Sequence, residues 1–171
     1  ADDAVVLADE LPAKGALTSL NISKNAIQGA QAGKAFAEAL AANTVLKEID
    51  LSGKPKMKNI DVAFVKEFAN GVKNNTVLKK LNISKNKLFH RLMYNSYASG
   101  NAASSNTALD KAAVGKVLSE MIAINTVLQE LDISENGDGS FFADELAFGL
   151  SVNGSTVWKT RERKNDVSTR D

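Results

Sequence analysis

The chain contains no cysteine, one histidine, one tryptophan and two prolines in 171 residues. Without thiols there is no disulfide framework, no thiol nucleophile and no cysteine-ligated metal. A lone histidine, His90, allows no two-histidine metal site and anchors no serine triad that the sequence can assemble. An excess of one charge is missing as well. Lys and Arg number 21 against 20 Asp and Glu, so no global field advertises nucleic acid or an anionic membrane as a partner. No apolar run approaches about 18 residues, and the first residues lack a basic-then-apolar leader. The expected location is therefore cytoplasmic. Carboxylates are plentiful, but no pair stands out for acid–base work and no glycine-rich phosphate loop is present, so no enzyme activity and no cofactor are expected.

What the chain does have is repetition. The string Asn-Thr-Val-Leu-x-x-(Leu/Ile)-(Asp/Asn)-(Leu/Ile)-Ser runs over Asn43–Ser52, Asn75–Ser84 and Asn125–Ser134, with a shorter copy at Leu17–Ser23. Its first leucine stands at Leu17, Leu46, Leu78 and Leu128, giving spacings of 29, 32 and 50 residues. A unit of about 29 has the length of the longer leucine-rich repeats, so the second gap carries about three extra residues and the third about 21. In Leu46-x-x-Ile49-x-Leu51 and its copies the last two apolar residues alternate with polar ones, the period of a short strand with one buried face. After each strand the period lengthens. Gly33–Leu40 aligns with Gly115–Ile122, and apolar residues there recur at i, i+3, i+4 and i+7, which predicts amphipathic helices. The middle helix is expected over Val62–Asn74 with Phe64, Val65, Phe68 and Val72 inward. One strand plus one helix buries too few side chains to fold alone, so units must stack.

Asn25, Asn86 and Asn136 follow their strands at one offset. A buried side-chain amide there can bond the backbone of the turn, whose polar groups would otherwise be orphaned. The second repeat has Lys54 at that position, after Gly53. Lysine accepts no hydrogen bond, so this turn must be built differently.

With its alanine-rich helices, this pattern resembles the ribonuclease-inhibitor-like class of leucine-rich repeats, the α/β type also found in Ran GTPase-activating proteins and tropomodulins. The likeness spans nearly the whole chain. It implies a short solenoid, a right-handed β-α superhelix with parallel strands on the concave face and helices on the convex face. Val62 through Asn86 is similar to a repeat of the tropomodulin carboxy-terminal domain, which implies actin-filament pointed-end capping. The likeness to the GTPase activators goes no further than the class. No residue string is specific to actin contact.

Residues 1–171 are read as one leucine-rich repeat domain of about five units, with an insertion over 89–108 and a degenerate carboxy-terminal cap and tail over 154–171. Ala1–Lys14 is expected to be the helix of a preceding repeat, with Val6, Leu7 and Leu11 inward. Phe141–Val152 is expected to be the last helix, and Val157-Trp158 to open a final strand. An unpaired strand at either end could pair with a second copy.

The function expected of such an array is recognition of a partner protein. On the concave face the outward columns are Ser19, Glu48, Lys80, Glu130, then Asn21, Asp50, Asn82, Asp132, then Ser23, Ser52, Ser84, Ser134. None is aromatic, whereas binding hot spots favour Trp, Tyr and Arg, so contact there should be polar. Both insertions leave from the same ends of adjacent strands and should share one rim. Lys54, Lys56, Lys58, Lys85, Lys87, His90 and Arg91 fall there with Phe89, Tyr94 and Tyr97, a basic, aromatic-bordered dock for an acidic protein surface. The competing reading is that Phe89, Leu92 and Met93 cover the core while the lysines keep the rim soluble. Ser134–Glu145 resembles an EF-hand calcium loop at Asn136, Asp138 and Glu145, but Ser134 stands where aspartate belongs. A two-glycine turn into an N-capped helix accounts for it better, so no metal site is assigned.

Overall fold

The computed structural model describes residues 2–54, 59–89, 108–137 and 157–159. Helix α1 (Asp2–Glu10) runs into a 3-10 turn over Leu11–Ala13. There follow β1 (Ser19–Asn21), α2 (Ala30–Ala42), β2 (Glu48–Asp50), α3 (Val62–Asn74), β3 (Lys80–Asn82), α4 (Ala108–Ile124), β4 (Glu130–Asp132) and β5 (Val157–Lys159). The strands lie side by side in chain order, all parallel. Leu20 stands opposite Ile49, Ile49 opposite Leu81, and Leu81 opposite Leu131. This is the parallel-strand, stacked-helix α/β solenoid that the repeat predicts. The final strand forms where Val157-Trp158 placed it; the expected last helix, Phe141–Val152, lies outside the described residues.

Strands β1–β4 each turn their central side chain toward the helices. Ile49, Leu81 and Leu131 are buried against the helix layer, while Leu20 on the edge strand stays partly exposed. Helix α3 starts where Asp61 accepts the backbone N–H of Phe64 through its carboxylate at 2.9 Å, an N-cap. Its inward residues Phe64, Val65, Phe68 and Val72 are all buried, as the period required. Phe64 packs at ring-centroid distances of 5.8 Å from Phe36 and 5.3 Å from Phe68, so aromatic contacts join α2 to α3. The two helices also touch through glycine. A methyl group on Gly71 would overlap the backbone of Ala37, and one on Gly33 the backbone of Phe64. At the amino-terminal end the expected inward set needs correction. Leu11 and Ala8 are buried, but Val6 is 62% exposed. Val5, Val6 and Leu7 are consecutive, and a helix cannot turn three neighbours to one side.

Two rows of asparagine amides tie the units together, one at each end of the strands. Before the strands, Asn43, Asn75 and Asn125 accept backbone N–H groups two and three residues on, at 2.6–2.9 Å. Each donates its Nδ2 back to the preceding unit: Asn43 to Leu11 O, Asn75 to Leu40 O, Asn125 to Val72 O. After the strands, Asn86 accepts from Asn59 and Ile60 N–H, and Asn136 accepts from Asn86 N–H. Their Nδ2 groups donate to Leu51 O and Ile83 O of the preceding repeat. The first repeat departs from expectation here, because Asn25 is exposed and, among the described residues, its amide donates only to Ser23 O. Asn59, fully buried, does its work from the second repeat. It accepts from Asn25 N–H at 2.8 Å and Ile27 N–H at 3.4 Å and donates to Ile22 O and Leu51 O. The second turn is therefore built by a residue five places beyond Lys54.

Candidate functional site

The open side of the sheet is the one extended surface whose residue columns come directly from the repeat. Strand register sets Ser19, Glu48, Lys80 and Glu130 in one line and Asn21, Asp50, Asn82 and Asp132 in the next. Across β1–β4 these line a shallow depression of about 810 Å³. Lys80 stands between two glutamates, its Nζ 3.5 Å from Glu48 Oε1 and 3.4 Å from Glu130 Oε1. Attraction by Glu130, then by Glu48, raises its pKa above the usual 10.5. In the second line each side-chain oxygen accepts the N–H of the serine two residues on, at 3.0, 2.8, 3.0 and 2.9 Å from β1 to β4. These bonds fix the four side chains as turn-formers. Four carboxylates and one lysine make this face acidic, polar and free of aromatic side chains, with no constellation for nucleophilic or metal chemistry among the described residues.

The rim beyond the strands is basic. Lys24 and Lys54 are exposed, and Lys85 and Lys87 are partly exposed. Backbone bonds from Lys24 N–H to Ser52 O, Gly53 N–H to Ser84 O and Lys85 N–H to Ser134 O, all 2.9 Å, set the turns side by side. They approach so closely at Gly53 that an added methyl would overlap Lys85 O. Lys85 Nζ lies 3.5 Å from Glu135 Oε1, so the basic strip ends at the fourth repeat.

Several expected site residues are placed and others are not. Glu48, Asp50, Lys80, Asn82, Glu130 and Asp132 share one face, and Lys54, Lys85 and Lys87 share the rim. Phe89 must be withdrawn from the contact surface. It is 1% exposed, and its N–H bonds Asn136 O at 2.8 Å, so its ring belongs to the core. Lys56, Lys58, His90, Arg91, Tyr94 and Tyr97 lie outside the described residues, as do Asp138 and Glu145 of the calcium-loop lookalike. The lookalike fails at Asn136. That residue is 2% exposed, with its side-chain oxygen held by Asn86 N–H at 2.7 Å and its amide donating to Ile83 O and Ile133 O. An oxygen already bonded and buried is not offered to a cation. Lys24 escaped the sequence reading because its repeat lacks an insertion, although Ser23-Lys24-Asn25 matches Ser84-Lys85-Asn86.

No family model matches this sequence, and no curated protein does. Solved structures do resemble it. The chain superposes on leiomodin-1 actin-binding site 2 with a TM-score of 0.60 and 18% identity, over 96% of this chain and 79% of that one. It superposes on the tropomodulin C-terminal domain of Caenorhabditis elegans with a TM-score of 0.61 and 12% identity, over 92% and 81% of the two chains. The fold is thus leucine-rich-repeat-like and resembles that of the tropomodulin C-terminal and leiomodin domains.

Proposed function

We propose that this domain is a non-enzymatic protein-recognition module of the actin-regulatory kind, acting in the cytoplasm. The observation that carries this reading is the similarity over 96% of the chain to a domain described as an actin-binding site. The surfaces are compatible with it. The sheet face is broad, open and polar, and the rim presents side chains of the opposite charge. Such a surface suits a macromolecular partner better than a small substrate, which needs an enclosed apolar pocket. Contacts of this composition give steering and specificity more than raw affinity, so binding should be salt-sensitive.

Pelleting with filamentous actin and pointed-end elongation from barbed-end-capped seeds test the reading. The expected result is co-sedimentation and slowed elongation, both weakening as salt rises. If the domain stays in the supernatant at saturating filament and elongation is unchanged, actin is not its partner.

A further inference from the structure

Six positions in the turns after the strands have backbone φ in the left-handed region: Lys24 (67°), Ala26 (57°), Lys85 (62°), Lys87 (56°), Glu135 (55°) and Gly137 (114°). That conformation crowds any residue with a Cβ, and glycine or asparagine adopts it most readily. Gly137 follows the rule. Lys24, Ala26, Lys85, Lys87 and Glu135 do not, and the three lysines among them lie on the rim. The conformation recurs at equivalent turn positions, Lys24, Lys85 and Glu135 and then Ala26, Lys87 and Gly137, so the turn itself sets the lysines at matching places. These lysines are also under-used inside the molecule. Lys85 pairs with Glu135, while Lys24, Lys54 and Lys87 form no ion pair among the described residues.

We infer that Lys24, Lys54, Lys85 and Lys87 form a docking strip for a short acidic segment of a partner protein. This rests on the protein-recognition reading above and names its surface. Strands about 4.8 Å apart put the first and third turns about 10 Å apart, a span that about three residues of extended chain cover. The strip is narrow because carboxylates border it. Glu135 closes it at the fourth repeat, and Asp50 and Asp132 lie two residues before the turns on the sheet side. A duplex or a bilayer surface, being broader, would rest on those carboxylates as well as on the lysines. A net charge of +1 supplies no long-range field to offset that repulsion. A peptide strand is narrow enough to follow the turns, meeting Glu135 only where it reaches Lys85.

The test uses a fluorescent hexaglutamate peptide, with binding read by anisotropy at several salt concentrations. The rim variant is Lys24→Asn, Lys85→Asn, Lys87→Asn together. Asparagine tolerates the left-handed region, so the fold is kept and the melting temperature should not fall. A control carries Lys34→Gln, Lys47→Gln and Lys79→Gln, the same charge change elsewhere on the surface. The expected result is salt-sensitive binding by the unaltered chain, weakened at least about tenfold in the rim variant and near-unchanged in the control. The inference is overturned if the unaltered chain ignores the peptide, if rim and control variants lose affinity equally, or if hexauridylate or phosphatidylserine vesicles bind as well as the peptide. Actin pelleting on the same preparations separates the two proposals. Peptide binding without actin pelleting removes the actin reading and leaves the strip; actin pelleting without peptide binding does the reverse.

Discussion

Replacing Asn59 with alanine tests whether the post-strand asparagine row holds the first two units together. Alanine removes an acceptor for Asn25 N–H at 2.8 Å and a donor to Ile22 O at 2.9 Å, both across the repeat boundary. The bond from Ile27 N–H is long at 3.4 Å and counts for little, and Leu51 O keeps the Asn86 amide at 3.0 Å. Two well-formed bonds are therefore lost outright. A buried polar group left unpaired costs about 1–3 kcal/mol, so two cost about 2–6. Water can reach Asn25 N–H, which is only part-buried, and this pulls the expectation to about 3 kcal/mol. That is a large share of the roughly 5–15 kcal/mol that holds a domain folded. Asn25→Ala is the contrast. Its side chain is exposed and makes one local bond, so its effect should stay within about 0.5 kcal/mol. Urea unfolding with a shared slope measures both, and hydrogen exchange at the Asn25 and Ile27 amides localises the damage. Equal losses for the two variants, or a loss below about 1 kcal/mol at Asn59, would refute the row as a structural tie.

Three further outcomes are expected. Gly71→Ala should destabilise by about 1–3 kcal/mol despite the better helix propensity of alanine, because the methyl meets the Ala37 backbone; a higher melting temperature would show that α2 and α3 are not in close contact. Ala26→Gly should stabilise by about 0.5–1 kcal/mol, since relief of a left-handed alanine at φ 57° exceeds the entropy lost by glycine. A drop in chemical-denaturation midpoint would argue against that turn. The Lys80 amino group should titrate above 10.5 in the folded chain, and Glu130→Gln should lower its midpoint more than Glu48→Gln. Because the folded pKa is the higher one, its stabilising effect is present in full below 10.5 and lost as pH rises through the folded value. Carbon-detected NMR of the lysine side chains reads this directly, and equal midpoints in both variants would contradict the order of attraction.

Strand register was legible because Leu46-x-x-Ile49-x-Leu51 repeats with two independent periods that agree, and a one-residue slip would put Ile49 in water. Helix α3 was legible for the same reason, down to its ends at Val62 and Asn74. The second turn was not, since counting from the strand points to Lys54 and the asparagine that completes the turn arrives five residues later. The pair Asn59-Ile60 does not single it out, since Asn-Ile also stands at Asn21-Ile22 and Asn82-Ile83 and the other turn asparagines precede Ala26, Lys87 and Gly137. Asn43, Asn75 and Asn125 head the three full copies, but sequence position alone does not show that their amides reach back to the preceding unit. The site was less readable than the fold. Strand alternation gives the sheet-face columns, while Phe89 on the rim could face either way, and only its packing shows that it is core. Left-handed backbone at Lys24 and Lys85 leaves no mark in composition at all.

The way Asn59 completes the turn of the first repeat has a consequence for how this molecule can change. Gly53 N–H is held by Ser84 O, and Asn59 is bonded to Asn25, Ile22 and Asn86, so the ties on both sides of residues 55–58 are made by Gly53 and Asn59 themselves. Length is thus decoupled from architecture at that point. New sequence can be spliced into the gap, of whatever composition a partner demands, while the layers on both sides go on being built as before.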